Sequence, residues 1–235
     1  MDGEPAIRFK DAEVFRVLLG ATVGFIDPGN IDGHMARKVD YDADGLLTYG
    51  EVAAVQTLSD RLDNTLSVFV FKYDGSGSNT AIETFDEFQY FTGVSIINLR
   101  AFYGCSSLRS IILPPNVKTI RDYAFSSIAI TELVVPEGCR IIGDGIVDLC
   151  KQCKLLDLPS TLTSIGSRPN NKGSKNLVLI CRAATPPAFD GSWSYNNDGK
   201  PTAIYVPDAS VSVYQSATGW SGSGNLIKAL STYHP

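Results

Sequence analysis

From residue 97 onward, apolar positions follow neither the two-residue beat of a strand nor the three-to-four-residue beat of a helix; they return every 22 or 23 residues. Ile97, Ile120, Ile142 and Ile165 lie 23, 22 and 23 residues apart, and Pro114, Pro136 and Pro159 lie 22 and 23 apart. Each copy has one place for a strand, at 110–113, 131–135 and 154–158, and each of these stops at a proline. Proline can end a strand but cannot sit inside a central one, because it has no N–H for the ladder. Upstream of the strands, Leu108/Ile130/Cys153, Cys105/Ile128/Cys150 and Phe102/Phe125/Ile146 return at matching offsets, so they are expected to stack as columns. A fixed period of this length is the mark of a solenoid.

One copy of about 23 residues cannot bury its own apolar face, and its neighbours supply the cover. The strands then pair in parallel, one per coil. They are too close in sequence for a helical crossover, so the chain returns through short turns and a second extended segment such as 117–120. After Ile165 the period slips. Residues 167–175 are polar and turn-rich, 176–181 (NLVLIC) supplies a fourth strand, 183–189 turns away, and 203–206 (AIYV) reads as the fifth and last strand. Beyond it, Val211, Tyr214 and Trp220 suggest a short helical lid over the final coil.

The N-terminal part carries a different rhythm. In 9–19 (FKDAEVFRVLL) the residues Phe9, Ala12, Phe15 and Leu19 fall at helical spacing, and Asp11 is placed to cap the start. Residues 27–30 (DPGN) are a turn by composition. A second helix is expected to begin near Asn30 or Asp32 and run through Met35 and Ala36 to Val39. A third is expected over 51–62, with Val52, Val55 and Leu58 or Leu62 on one face. The whole predicts an α+β chain. A small helical cap over 1–92 is followed by a parallel β-solenoid of leucine-rich-repeat type, about five coils long, with a C-terminal lid, over 93–235.

Between the second and third helices lies the strongest chemical motif, DYDADGLLTYGE at 40–51. It fits the calcium loop of an EF-hand. Carboxylates stand at places 1, 3 and 5 (Asp40, Asp42, Asp44), Gly45 at the sharp turn, the Leu46 carbonyl at place 7, Thr48 at place 9 and Glu51 at place 12. The spacing suits the chemistry, since alternate side chains of a tightly wound loop point inward at one hard cation. Glu51, opening the next helix, can offer both oxygens. Leu47 at place 8 is expected to tie the loop to a neighbour by a short strand contact. A structural calcium ion is therefore expected. A second stretch, 74–80, has oxygens but puts Phe85 where the closing acid would stand, so it reads as a Gly/Ser turn.

Composition removes several functions. The chain has 235 residues, a net charge of −5 and no cluster of Lys and Arg, so nothing points to nucleic acid or an anionic membrane surface. No apolar run approaches the roughly 20 residues of a membrane span. There is no G-x-S-x-G, H-E-x-x-H, P-loop or Rossmann fingerprint, and the two histidines, His34 and His234, stand far apart. The acids concentrate in the calcium loop and in turns, which argues against a glycoside-hydrolase pair. Five cysteines are present. Cys150-x-x-Cys153 has redox and zinc associations, but both residues also fall on repeat positions, which accounts for them as small buried hydrophobes.

The pattern I-x-x-x-A-F-x-x-C-x-x-L-x-x-I-x-L-P-x-x-V-x-x-I, carried by residues 97–120, resembles the BspA-type leucine-rich repeat of bacterial surface proteins, such as those of Bacteroidetes. Ala124-Phe125 repeats it well, and the third copy departs, with Gly145-Ile146 in place of Ala-Phe. The D-x-D-x-D-G loop, the 85–92 segment (FDEFQYFT) and the Y-V-P…Y…W ending are also similar to arrangements flanking such repeats. The resemblance implies a cap closing the open apolar end, a cell-surface or extracellular location, and an export signal removed ahead of Met1. It further implies adhesion to a host or matrix protein; with no catalytic constellation in the sequence, the chain is expected to be a non-enzymatic scaffold, and a monomer. A glycan is the alternative ligand, with the aromatic loop residues Trp193 and Tyr195 as its platform, and a structural part in a cell-surface assembly is a third reading.

Overall fold

The computed structural model describes residues 4–26, 34–56, 79–193, 195 and 199–235. The chain opens with helix α1 (Ala12–Gly20), an antiparallel pair β1 (Thr22–Ile26) and β2 (His34–Lys38), and the short helix α2 (Tyr49–Ala54). It continues through β3 (Thr84–Phe85), β4 (Ile96–Ile97), β5 (Ser110–Ile111), β6 (Thr119–Ile120), β7 (Glu132–Val134), β8 (Ile141–Ile142), β9 (Leu155–Leu158), β10 (Ser164–Ile165), β11 (Val178–Cys181) and β12 (Ala203–Val206). It closes with α3 (Val211–Ser216) and β13 (Ile227–Ala229).

The repeats wind into two parallel ladders. One is built on the isoleucine column, with Ile97 level with Ile120, Ile120 with Ile142 and Ile142 with Ile165, in the order β4-β6-β8-β10. The other follows the proline-terminated strands in the order β7-β9-β11-β12-β13. Between the ladders run the buried columns: Leu108, Ile130 and Cys153; Cys105, Ile128 and Cys150; and Phe102 stacked on Phe125 at 5.6 Å with rings 6° from parallel. Parallel pairing buries apolar side chains against the coil above and the coil below, which is what the period required.

The turns explain why the third copy breaks the Ala-Phe pattern. Each coil needs left-handed backbone twice: at Arg100, Tyr123, Gly145 and Arg168, and again at Gly104, Ser127, Leu149 and Lys172. Gly145 thus belongs with Arg100 and Tyr123. The pair Ile146-Val147 takes the place of Ala-Phe, and Val147, not Ile146, continues the phenylalanine column.

At one step the second ladder is not continuous. Among the described residues no ladder joins β5 to β7; β5 pairs with β3 instead, Thr84 level with Ser110. The cause is one missing residue. From Gly104 to Leu108 is four residues and from Leu149 to Cys153 is four, but from Ser127 to Ile130 is three. The shortened turn is held by the Ala129 N–H on the Leu108 carbonyl at 2.9 Å, whereas the next coil is held by the Lys154 N–H on the Thr131 carbonyl. Leu113 and Val135 are therefore not in adjacent paired strands, while Val135 and Leu158 continue the β7–β9 register.

The cap closes the first coil. Asp11 caps α1 with one carboxylate oxygen on the Glu13 and Val14 N–H groups, and its other oxygen accepts from the Glu83 and Thr84 N–H groups. Phe85 on β3, Phe88 on the 3₁₀ turn Asp86–Tyr90 and Phe91 just after it are fully buried; Phe91 packs on Phe85 and Phe88, whose ring centroids lie 6.2 and 5.6 Å from that of Phe102. The β3–β5 ladder crosses the expected boundary at residue 92.

Three local expectations are corrected. Where a helix is expected up to Val39, residues 34–38 form a strand that pairs antiparallel with 22–26, and the expected helix start at Asn30 or Asp32 lies outside the described residues, as does the 27–30 turn. The helix from Glu51 ends at Ala54, because the Val55 N–H bonds the Val52 carbonyl and Val55 is extended; Leu58 and Leu62 lie outside the described residues, as does most of the 74–80 turn. AIYV is not the last strand. Ile227–Ala229 pairs parallel with β12, so the C-terminal lid carries a further strand after α3.

Candidate functional site

Three places on this frame have chemistry to offer. The first is the loop 40–51. Gly45, at φ +81°, makes the turn, and its N–H donates to Asp40 Oδ2 at 3.2 Å. The Asp42 and Asp44 carboxylates accept from the N–H groups two residues on, at 3.3 and 2.8 Å. These turns hold one oxygen each of Asp40, Asp42 and Asp44 within 4.8 Å of one another. Asp40 is only 7% exposed, and its Oδ1 is buried with no hydrogen-bond partner. A buried carboxylate oxygen without a donor is costly, and such a group calls for a ligand.

The rest of the loop is tied to the cap. The Ile7 N–H donates to the Leu47 carbonyl at 2.8 Å, Ala6 bridges to Thr48 in antiparallel fashion, and Leu47 is fully buried. The expected strand contact at place 8 is made with the N-terminal segment. Thr48 caps α2, its Oγ1 accepting from the Glu51 N–H at 3.3 Å. Glu51 reaches back, with Oε2 accepting from the Thr48 N–H at 2.8 Å and Oε1 from the Tyr41 N–H at 3.1 Å. The Leu46 side chain is 49% exposed, at the surface. One turn thus gathers places 1, 3 and 5, while the capping box joins places 9 and 12 to each other and the Tyr41 N–H ties place 12 to the start of the loop.

The second place is the break in the ladder. Between β5 and β7 lies an open cleft of about 560 Å³, lined in part by Ile111, Ile112, Leu113, Val134 and Pro136, with Asp86, Arg109 and Glu132 among its polar groups. Ile112 is 45% exposed and Val134 54%. The backbone groups of Thr131 and Val135 are spent on β9, through Thr131 O to Lys154 N and Val135 N to Asp157 O. In a parallel strand the amides alternate in direction. Those of Glu132 and Val134 therefore face the cleft. The repeat period made this break unforeseen, although the single short interval at Ile120 to Ile142 was its signal.

The third is a row of rings and guanidinium groups on the turn side of the coils. Arg100 lies 5.4 Å from the Tyr103 ring centre and 5.9 Å from that of Tyr123, and Arg168 lies 4.4 Å from Tyr195. Tyr195 stands at the surface, 73% exposed, as the sequence suggested. Trp193 does not. It is 2% exposed, wedged edge-on against Phe189 and Trp220, with its Nε1 donating to Ser223 Oγ at 3.0 Å. A ring enclosed this way packs the lid and is not offered to a ligand.

The thiols make no site. All five cysteines are free and buried. Burial pushes Cys105, Cys150 and Cys153 up to about 12, and Cys139 and Cys181 up to about 11. A thiol so far above its ordinary value holds its proton at neutral pH and is a poor nucleophile or metal ligand. The Cys150 S–H instead donates to the Phe125 carbonyl at 3.0 Å. Among the described residues, no helix is long and apolar enough to cross a membrane.

Comparison with known proteins agrees with this frame. The family model for the BspA type leucine rich repeat region matches residues 79–177 in six copies. Among solved structures, the chain is similar to a leucine-rich repeat protein from Bacteroides ovatus ATCC 8483, at 18% identity and a TM-score of 0.32, over 66% of this chain and 55% of that one. The chain thus spans about half the length of that relative. No curated protein matches it. With two parallel ladders, stacked apolar columns and six matched copies, residues 79–177 are a leucine-rich repeat region of the BspA type.

Proposed function

We propose that this protein is a non-enzymatic binding scaffold working outside the cell or at the bacterial cell surface, where its repeats hold a protein of the host or its matrix. The observation that carries the reading is the cleft between β5 and β7. There Ile112 and Val134 are exposed in one groove, and the outward amides of Glu132 and Val134 have no strand beside them among the described residues. An extended segment of a protein ligand finds both requirements in such a place, backbone partners and pockets for alternate side chains. The buried, protonated thiols support the non-enzymatic reading, because they remove the redox chemistry suggested by Cys150-x-x-Cys153.

The test is a binding screen of the purified monomer against matrix proteins, followed by Val134→Glu and Ile112→Glu. Both positions point outward, so melting should change little. Binding of the ligand found should fall at least tenfold. A ligand that binds both variants as tightly as the parent sits elsewhere, and the cleft reading fails.

A glycan ligand is the second reading, favoured by one observation: the exposed Tyr195 ring held against Arg168. Flat aromatic faces suit sugar rings. A glycan array that responds to the chain but not to Tyr195→Ala would move the site from the cleft to this row.

A further inference from the structure

We propose that the loop 40–51 is a calcium site whose ion completes the N-terminal cap. The cluster of three aspartates would not carry this alone, since exposed acids commonly gather without an ion. The second observation is Asp40 Oδ1, an oxygen enclosed by protein and left without a donor, while its sister Oδ2 is fixed by the Gly45 N–H. Ligation of a cation by the group that Asp42 and Asp44 complete removes that cost. Completing the set takes the Leu46 carbonyl, the Thr48 hydroxyl and the Glu51 carboxylate, the last drawn in from its backbone partners on binding. An all-oxygen set of six or more, on a loop able to adjust, suits calcium better than magnesium, which demands a tight octahedron and keeps its water.

The surroundings decide what the ion does. In paired loops of this kind, place 8 bonds to a second loop and binding opens the helix pair. Here Leu47 and Thr48 are bonded to Ala6 and Ile7, and Leu47, Val52 and Val55 are buried in the cap. Among the described residues no second loop stands at place 8 for binding to open. Binding also has a competitor inside the loop, because both Glu51 oxygens already accept backbone N–H groups. The affinity is therefore that of extracellular structural modules, about 10⁻⁴ to 10⁻³ M.

Tyr41 and Tyr49 lie in the loop itself, so terbium luminescence excited through tyrosine reports occupancy directly. The full chain should sensitise terbium, and calcium at millimolar concentration should displace it. Asp42→Asn and Asp44→Asn change exposed residues and keep an oxygen for the loop N–H groups that each accepts, and each should weaken calcium binding at least tenfold. Asp190→Asn, on a distant turn, should leave it unchanged. Calcium should raise the melting temperature of the parent and not of the Asp42→Asn variant. The proposal is overturned if calorimetry finds no calcium binding at 10 mM, if Asp42→Asn binds as the parent does, or if magnesium binds more tightly than calcium.

Discussion

Among the described residues, seven other than glycine hold left-handed backbone, and six of them fall on the two repeated turn positions of the coils. An L-residue there costs roughly 1–2 kcal/mol against its usual conformation. The solenoid accepts the strain where the turn is tied to the next coil, as where the Tyr123 N–H bonds the Asp144 carbonyl and the Leu149 N–H the Asn171 carbonyl. Lys172, exposed and at φ +49°, can shed that strain without losing apolar contact. Lys172→Gly should leave stability unchanged or raise it by up to about 1 kcal/mol, the relief exceeding the entropy glycine adds to the unfolded chain. Gly145 is the opposite case. A Cβ there would meet the Tyr123 ring at 2.5 Å, at φ +60°. Gly145→Ala should destabilise by more than about 1 kcal/mol, and urea melts that rank the two variants in the other order would mean the turn positions are misread. These positions were hidden in the sequence, because arginine, tyrosine, serine, leucine and lysine share no signature that marks left-handed backbone.

At the level of elements, the most exposed dependence is the junction of α1 with β3. Burial pushes Asp11 upward, but the N–H groups of Glu83, Thr84, Glu13 and Val14 outweigh it, and its carboxyl ends below the ordinary 3.8. Asp86 behaves alike: burial raises it, and Lys10 and Ser110 bring it down past the same value. A carboxyl whose folded pKa is depressed contributes stability that is present above its unfolded pKa and lost as pH falls through the folded one. The cap should therefore loosen below pH 3.8, ahead of the apolar columns. Asp11→Ala should cost roughly 0.5–2 kcal/mol at neutral pH and flatten the acid response of the cap. Circular dichroism melts from pH 7 to 3 check both, and an acid midpoint unmoved by the substitution would assign the response to other groups. The cap shows why some elements were legible and others not. Asp11 and the 40–51 loop were readable because capping and cation chemistry fix residue types at fixed spacing. The strand at 34–38 is not told from a helix in the sequence, because five residues carry no period long enough to separate the two.

For the molecule as a whole, the parallel solenoid followed from its period, since a column of isoleucines at 22 or 23 residues has few other ways to be buried. What the period concealed was its own exception. One residue fewer between Ser127 and Ile130 leaves the main ladder open between β5 and β7. A serine inserted after Ile128 should restore the 23-residue step and let Glu132 and Val134 pair with β5. Their amide protons, fast to exchange in the parent beside a slow Leu133, should then become protected. Ligand binding in the cleft should be lost with it. Equal exchange in the two proteins would show that the gap has another cause.

A stack of coils behaves as a row of coupled units, its cooperativity carried by contacts between nearest neighbours. Where β5 and β7 part, one coupling in the row is weaker than the rest, although the isoleucine ladder and the Phe102–Phe125 stack still cross it. The protein accordingly has a hinge line in its energetics without a hinge in its chain. Thermal opening that begins at the cap has a place to stop, and the coils from β7 onward can remain folded while the first is lost.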